Sequence, residues 1–95
     1  DDETGDYLEE FNISQNYPNP FNPLTKITYN IPQRSNVSLK IYDVLGKEIA
    51  TLVNEQKEAG TYSIQFDAAK LSSGVYIYSI QTGDFLESRK MILMK

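Results

Sequence analysis

Apolar and polar residues alternate along most of the chain. Ile27, Tyr29 and Ile31 alternate with Thr28 and Asn30, and Val37, Leu39 and Ile41 alternate with Ser38 and Lys40. Tyr62, Ile64 and Phe66 alternate with Ser63 and Gln65, and Tyr76, Tyr78 and Ile80 with Ile77, Ser79 and Gln81. A period of two predicts strands with one buried face. The last run, Lys90-Met91-Ile92-Leu93-Met94-Lys95, is apolar on both faces, as befits a central strand or an edge strand that covers something. Ile49, Leu52 and Val53 fit a helical spacing as well as a bulged strand. Gly46 and Gly60 bracket them like hairpin ends, so a strand through about Val53 is expected.

Turn residues separate these runs. Pro32 to Asn36, Val44-Leu45-Gly46-Lys47, Ala59-Gly60, Ser72-Ser73-Gly74 and Thr82-Gly83-Asp84 all fall between strands. Gly46 is expected at positive φ, and Gly74 is expected to be structural in the same way. Strands punctuated every roughly 8–12 residues predict an all-β, antiparallel sandwich or barrel. Three of the four prolines sit in Tyr17-Pro18-Asn19-Pro20-Phe21-Asn22-Pro23. Proline lacks an N–H and fixes φ, so this segment is a stiff lead-in and not a central strand. Tyr17 and Phe21 are expected to anchor it in the core, with Asn19 and Asn22 bonding to local backbone. It lacks the basic flank of a polyproline ligand.

Composition narrows the function. The chain has 95 residues, enough for one domain, with 40% hydrophobic residues to build its core. It contains no Cys, His or Trp. That excludes a disulfide framework, a thiolate zinc site, a Cys nucleophile and a Ser-His-Asp triad. No cofactor and no catalytic or metal-binding residue is expected. Six of the 13 acids stand in residues 1–10 with no base beside them. The remaining seven acids face nine bases, so the net charge of −4 belongs to the leading segment and the body is mildly basic. Residues 1–14 are read as an acidic linker and 15–95 as the domain. The bases are scattered, a poor footprint for nucleic acid. No apolar run approaches the ~20 residues of a membrane span. The first residues are acidic, unlike a signal peptide.

Three stretches, together with the chain's last strand, resemble the C-terminal type A sorting domain of type IX secretion cargo. Pro18-Asn19-Pro20, extended by Phe21, matches its opening motif; Ile41-Tyr42-Asp43 with Gly46 matches its strand and turn. Leu71, Gly74, Val75 and Tyr76 match its Leu-x-x-Gly-Val/Ile-Tyr motif. Lys90, Met91, Ile92, Leu93, Met94 and Lys95 match its closing strand. The resemblance covers about residues 15–95. It implies an Ig-like antiparallel β-sandwich of about seven strands, related to modules of the flagellar hook-cap type. It also implies a non-catalytic address that follows an N-terminal passenger. The implied partners are the outer-membrane type IX translocon, its shuttle protein and a sortase that removes the domain. The implied route is periplasm in transit, then the cell surface or outside.

Lys90–Lys95 is expected to belong to the recognition surface, and an edge position there would offer free backbone groups to a partner strand. Two rivals stay open: an Ig-like spacer or adhesion module, and a carbohydrate-binding accessory module. The second is disfavoured because Tyr29, Tyr62, Tyr76 and Tyr78 are expected inward. Tyr7, Tyr17 and Tyr42 are then left too scattered for a sugar platform.

Overall fold

A computed structural model describes residues 10–95, so most of the expected acidic linker lies outside the described residues. The strands are β1 (Asn12–Ile13), β2 (Leu24–Ile31), β3 (Ser35–Tyr42), β4 (Glu48–Lys57), β5 (Gly60–Asp67), β6 (Gly74–Thr82) and β7 (Phe85–Leu93). They form two antiparallel sheets, ordered β1-β2-β5 and β4-β3-β6-β7. The described residues contain no helix. The expected all-β sandwich of seven strands is therefore the fold observed.

Each alternating run puts its apolar residues between the sheets. Ile27, Ile31, Leu39, Ile41 and Tyr78 are completely buried, while Thr28, Ser38 and Lys40 stay partly exposed on the outer faces. The register aligns these inward rows: Ile27 opposes Ile64, and Leu39 sits between Val53 and Ile80. Tyr62 and Ile64 are only half-buried, because β5 lies at a sheet edge.

The ambiguous stretch is a strand, and it runs past Val53 to Lys57. Its helix-like spacing has a physical cause. Lys40 pairs with Thr51 but Leu39 with Val53, and Ile41 pairs with Ala50 but Tyr42 with Glu48. Leu52 and Ile49 are thus extra residues at two bulges, and each bulge breaks the period of two.

The closing strand begins at Phe85, well before the apolar run, and of the two positions left open it takes the edge. Its early inward positions hold Glu87 and Arg89, which bridge each other at 2.9 Å, so no apolar alternation marks it there. Only one face of the last run is covered: Met91 and Leu93 are fully buried, whereas Ile92 and Met94 are exposed.

The lead-in enters beside Phe85, where Phe11 stacks on that ring, and runs along the seam between β2 and β7. Ile13 and Phe21 plug the seam. Tyr17, expected in the core, points to solvent at 79% exposure, because its backbone is what pairs there, with Lys26. Tyr78 pins the segment from below. Its hydroxyl donates to Ser14 O at 2.7 Å and accepts from Asn16 N–H at 2.8 Å. Burial raises its pKa, so it stays a protonated donor. Tyr78→Phe leaves a buried N–H and a part-buried carbonyl without partners, and a loss of about 1–3 kcal/mol is expected. Urea unfolding measures it; an unchanged midpoint would show the lead-in held by packing alone.

Candidate functional site

The residues singled out from the sequence gather at one end of the sandwich. That end holds the proline segment, the β3–β4 turn, the loop from Ala68 to Ser73 and the end of β7. At the opposite end lie the β2–β3 and β6–β7 turns and the point where the chain enters. Eight-residue strands such as β2 separate the two ends by about 25 Å at ~3.3 Å per residue.

The proline segment is fixed by buried polar groups that sequence reasoning overlooked. Asn16 and Thr25 are each 2% exposed. Asn16 Nδ2 donates to Thr25 Oγ1 at 3.0 Å and to Pro18 O at 3.1 Å, and Thr25 Oγ1 donates to the same carbonyl at 2.8 Å. An Asn just before a proline run was the available signal, since prolines leave carbonyls without a local donor. Asn19, expected to bond locally, reaches across the fold instead. Its Oδ1 accepts the Ile92 N–H at 2.9 Å.

The edge of β7 is consequently closed where an open one was expected. Phe21 N–H donates to Ile92 O at 2.9 Å, and Met94 N–H donates to Phe21 O at 3.0 Å. Gln15 Nε2 donates to Lys90 O at 2.7 Å. The outward groups of Ile92, with Lys90 O and Met94 N–H, already have partners within the chain. This stretch therefore has no free edge to offer another strand, and any recognition there uses side chains.

Two turns complete the end. Asp43 Oδ1 accepts from both Leu45 N–H and Lys47 N–H at 2.9 Å, and Gly46 takes φ 87°. A carboxylate that organises the loop and a residue free of Cβ strain explain the Tyr-Asp and Gly pattern. Tyr76 forms a tyrosine corner, its hydroxyl donating to Ser72 O at 2.7 Å. Tyr62 repeats it on Glu58 O at 2.7 Å, and the glycine two residues before each tyrosine has nearly the same φ, 156° at Gly74 and 155° at Gly60. Leu71 packs against the core, and its N–H donates to Ala68 O. Lys95 ties the loop to β7: its N–H donates to Ser73 Oγ and its Nζ to Ala69 O.

The motif residues thus divide by role. Phe21, Tyr76, Met91 and Leu93 are core. Pro18, Asn19, Pro20, Gly46, Gly74 and Lys95 are exposed and shape the backbone or tie it down. Val75 and Ile92 oppose each other on the outer face, and Ile77 lies beside Lys90 in the next row. With Met94 they make an apolar strip that the domain does not cover.

Charge divides the same way. Lys26, Lys40, Lys47, Lys70, Arg89, Lys90 and Lys95 lie in this half, with Asp43, Glu48 and Asp67. The other half holds Arg34 and Lys57 against Glu10, Glu55, Glu58, Asp84 and Glu87. Glu48 is held below the usual carboxylate range by the Thr51 hydroxyl and by Lys40, which bridges it at 3.3 Å. The end is therefore an apolar strip in a basic surround.

No curated protein matches the chain. Among protein families, the one described as the secretion system C-terminal sorting domain matches residues 15–94. A protein that carries such a domain is exported to the cell surface or outside. With the match spanning β2 to β7 and every motif residue but Lys95, the chain belongs to the family of C-terminal sorting domains of type IX secretion, whose members are non-catalytic signals.

Proposed function

We propose that the sorting signal is read as a folded surface, at the end of the sandwich where Pro18–Phe21, Gly46, Leu71–Tyr76 and Lys90–Lys95 converge. The observation that carries this reading is that convergence of residues far apart in sequence. The passenger joins at the opposite end, so the translocon and its shuttle protein meet the motif end unobstructed during periplasmic transit. A sortase then cuts ahead of Phe11, in the acidic segment, and frees the passenger at the surface. The apolar strip of Val75, Ile92 and Met94, with Lys90 beside it, makes the contact.

The test is a secreted reporter fused ahead of residues 1–95. Val75→Gln with Ile92→Gln changes only outward side chains and sets no like charges opposite each other, so the melting temperature is expected to move by a few degrees at most. Export is expected to fall at least roughly tenfold, the loss that accompanies about 1.4 kcal/mol of docking energy. Undiminished export of this folded variant would refute the surface. Leu39→Asp provides the second arm, since it unfolds the core and leaves every motif residue intact. Normal export of that variant would show that a linear string is read.

A further inference from the structure

The two sheets have four edges between them, and three are blunted. β1 has only two residues. β4 carries two bulges and the charges of Glu48, Glu55 and Lys57. β7 is closed by the lead-in from Lys90 to Met94 and turns Glu87 and Arg89 inward before that. Each is a recognised way of preventing edge-to-edge pairing.

β5 has neither a bulge nor a cover, and its one charge, Asp67, stands at its end. It is eight residues long, pairs with β2 without a register shift, and contains no proline. Lys26 and Thr28 of β2 bond toward the lead-in, so Ile27 and Tyr29 bond toward β5. Their partners Ile64 and Tyr62 use their backbone groups on β2, and by alternation Thr61, Ser63, Gln65 and Asp67 aim theirs outward. No backbone hydrogen bond satisfies these outward groups among the described residues, beyond the sheet partner β2. The seam beside them is also uncovered. Ile49, Leu52, Tyr62, Ile64 and Leu71 are half-buried, and a hollow of about 260 Å³ lies against Ile49, Phe66 and Leu71. The other seam has the same construction and is sealed by the lead-in.

We infer that β5 pairs antiparallel with β5 of a second copy, about a two-fold axis at Ile64. This register uses every outward group. Thr61 of each copy opposes Asp67 of the other, and Ser63 opposes Gln65, as hydrogen-bonded pairs. On the inner face Ile64 meets Ile64, and Tyr62 meets Phe66. No like charges stand opposite, and apolar meets apolar, which is the complementarity a self-paired edge requires. The three-stranded sheets join into one of six strands. Because the pairing is antiparallel, the two motif ends point in opposite directions, and so do the two passenger attachment points. Neither passenger obstructs the other. The interface is small and reversible, with a Kd between roughly 1 µM and 1 mM.

Sedimentation velocity on residues 1–95, across that concentration range, tests the proposal. A monomer–dimer equilibrium is expected. Thr61→Asp places a carboxylate opposite Asp67 twice per dimer and is expected to weaken association at least tenfold, while loss of the exposed Thr61–Asn30 hydrogen bond lowers the melting temperature by only a few degrees. The chain has no cysteine, so the Ser63→Cys, Gln65→Cys double variant reports the register directly: a disulfide-linked dimer is expected on mild oxidation. A monomer at every concentration overturns the inference. So does a dimer that Thr61→Asp leaves intact and the double variant fails to cross-link, since it would use another surface.

Discussion

Deleting Lys90–Lys95 is expected to unfold the domain. The segment removes Met91 and Leu93, both completely buried, and the pairs Tyr76–Met91, Val75–Ile92 and Gly74–Leu93. It also strips the lead-in of its partners at Lys90, Ile92 and Met94. Losing one large buried aliphatic side chain costs about 2–5 kcal/mol, and small domains have only about 5–15 kcal/mol in total. Near-UV circular dichroism and a thermal scan should show no cooperative transition, while deletion of Lys95 alone leaves one. A truncated chain that melts sharply within a few degrees of the parent would contradict this. An export defect after truncation reports folding first, so recognition has to be tested with outward-facing variants.

Phe21→Ala is expected to cost about 3–5 kcal/mol. The ring is 2% exposed and lies 6.4 Å from Phe66, and its own backbone closes the edge of β7. Without that anchor the proline segment lifts, so the Ile92 and Met94 amides should exchange with solvent faster than other amides of β7. Tyr17→Ala, four residues earlier, should stay within about 0.5 kcal/mol, because that ring is in water. Urea unfolding and residue-resolved hydrogen exchange check both. Equal effects at the two positions would mean that packing at Phe21 is not what holds the lead-in.

The strands were legible wherever one face is dry and the other wet. β2, β3 and β6 alternate cleanly because each lies inside a sheet, and their burial follows the pattern. Of the edge strands only β5 alternates legibly; at the other three the pattern failed. The bulges of β4 imitate a helical spacing, and the inward Glu87 and Arg89 hide the first half of β7. β1 is too short to carry a pattern, yet it places Ile13 at 1% exposure. Proline content marked the lead-in as irregular, but not its route. That route depends on Asn16, Asn19 and Thr25, whose hydrogen bonds leave no periodic trace. The motif spacing identified the family. It could not separate Met91 and Leu93, which pack, from Ile92 and Met94, which face water, because only the sheet tells the two faces apart.

The lead-in bonds to β7 across gaps of 71 to 76 residues, from Phe21–Ile92 to Ile13–Arg89. Pairings so distant in sequence form late, since the loop they close must first be ordered. During synthesis the domain therefore cannot mature until Met94 has left the ribosome, and a prematurely stopped chain never assembles the paired surface. Seen as a kinetic device, the parallel clasp of Phe21 on β7 makes the address legible only once the whole of β7 has been made.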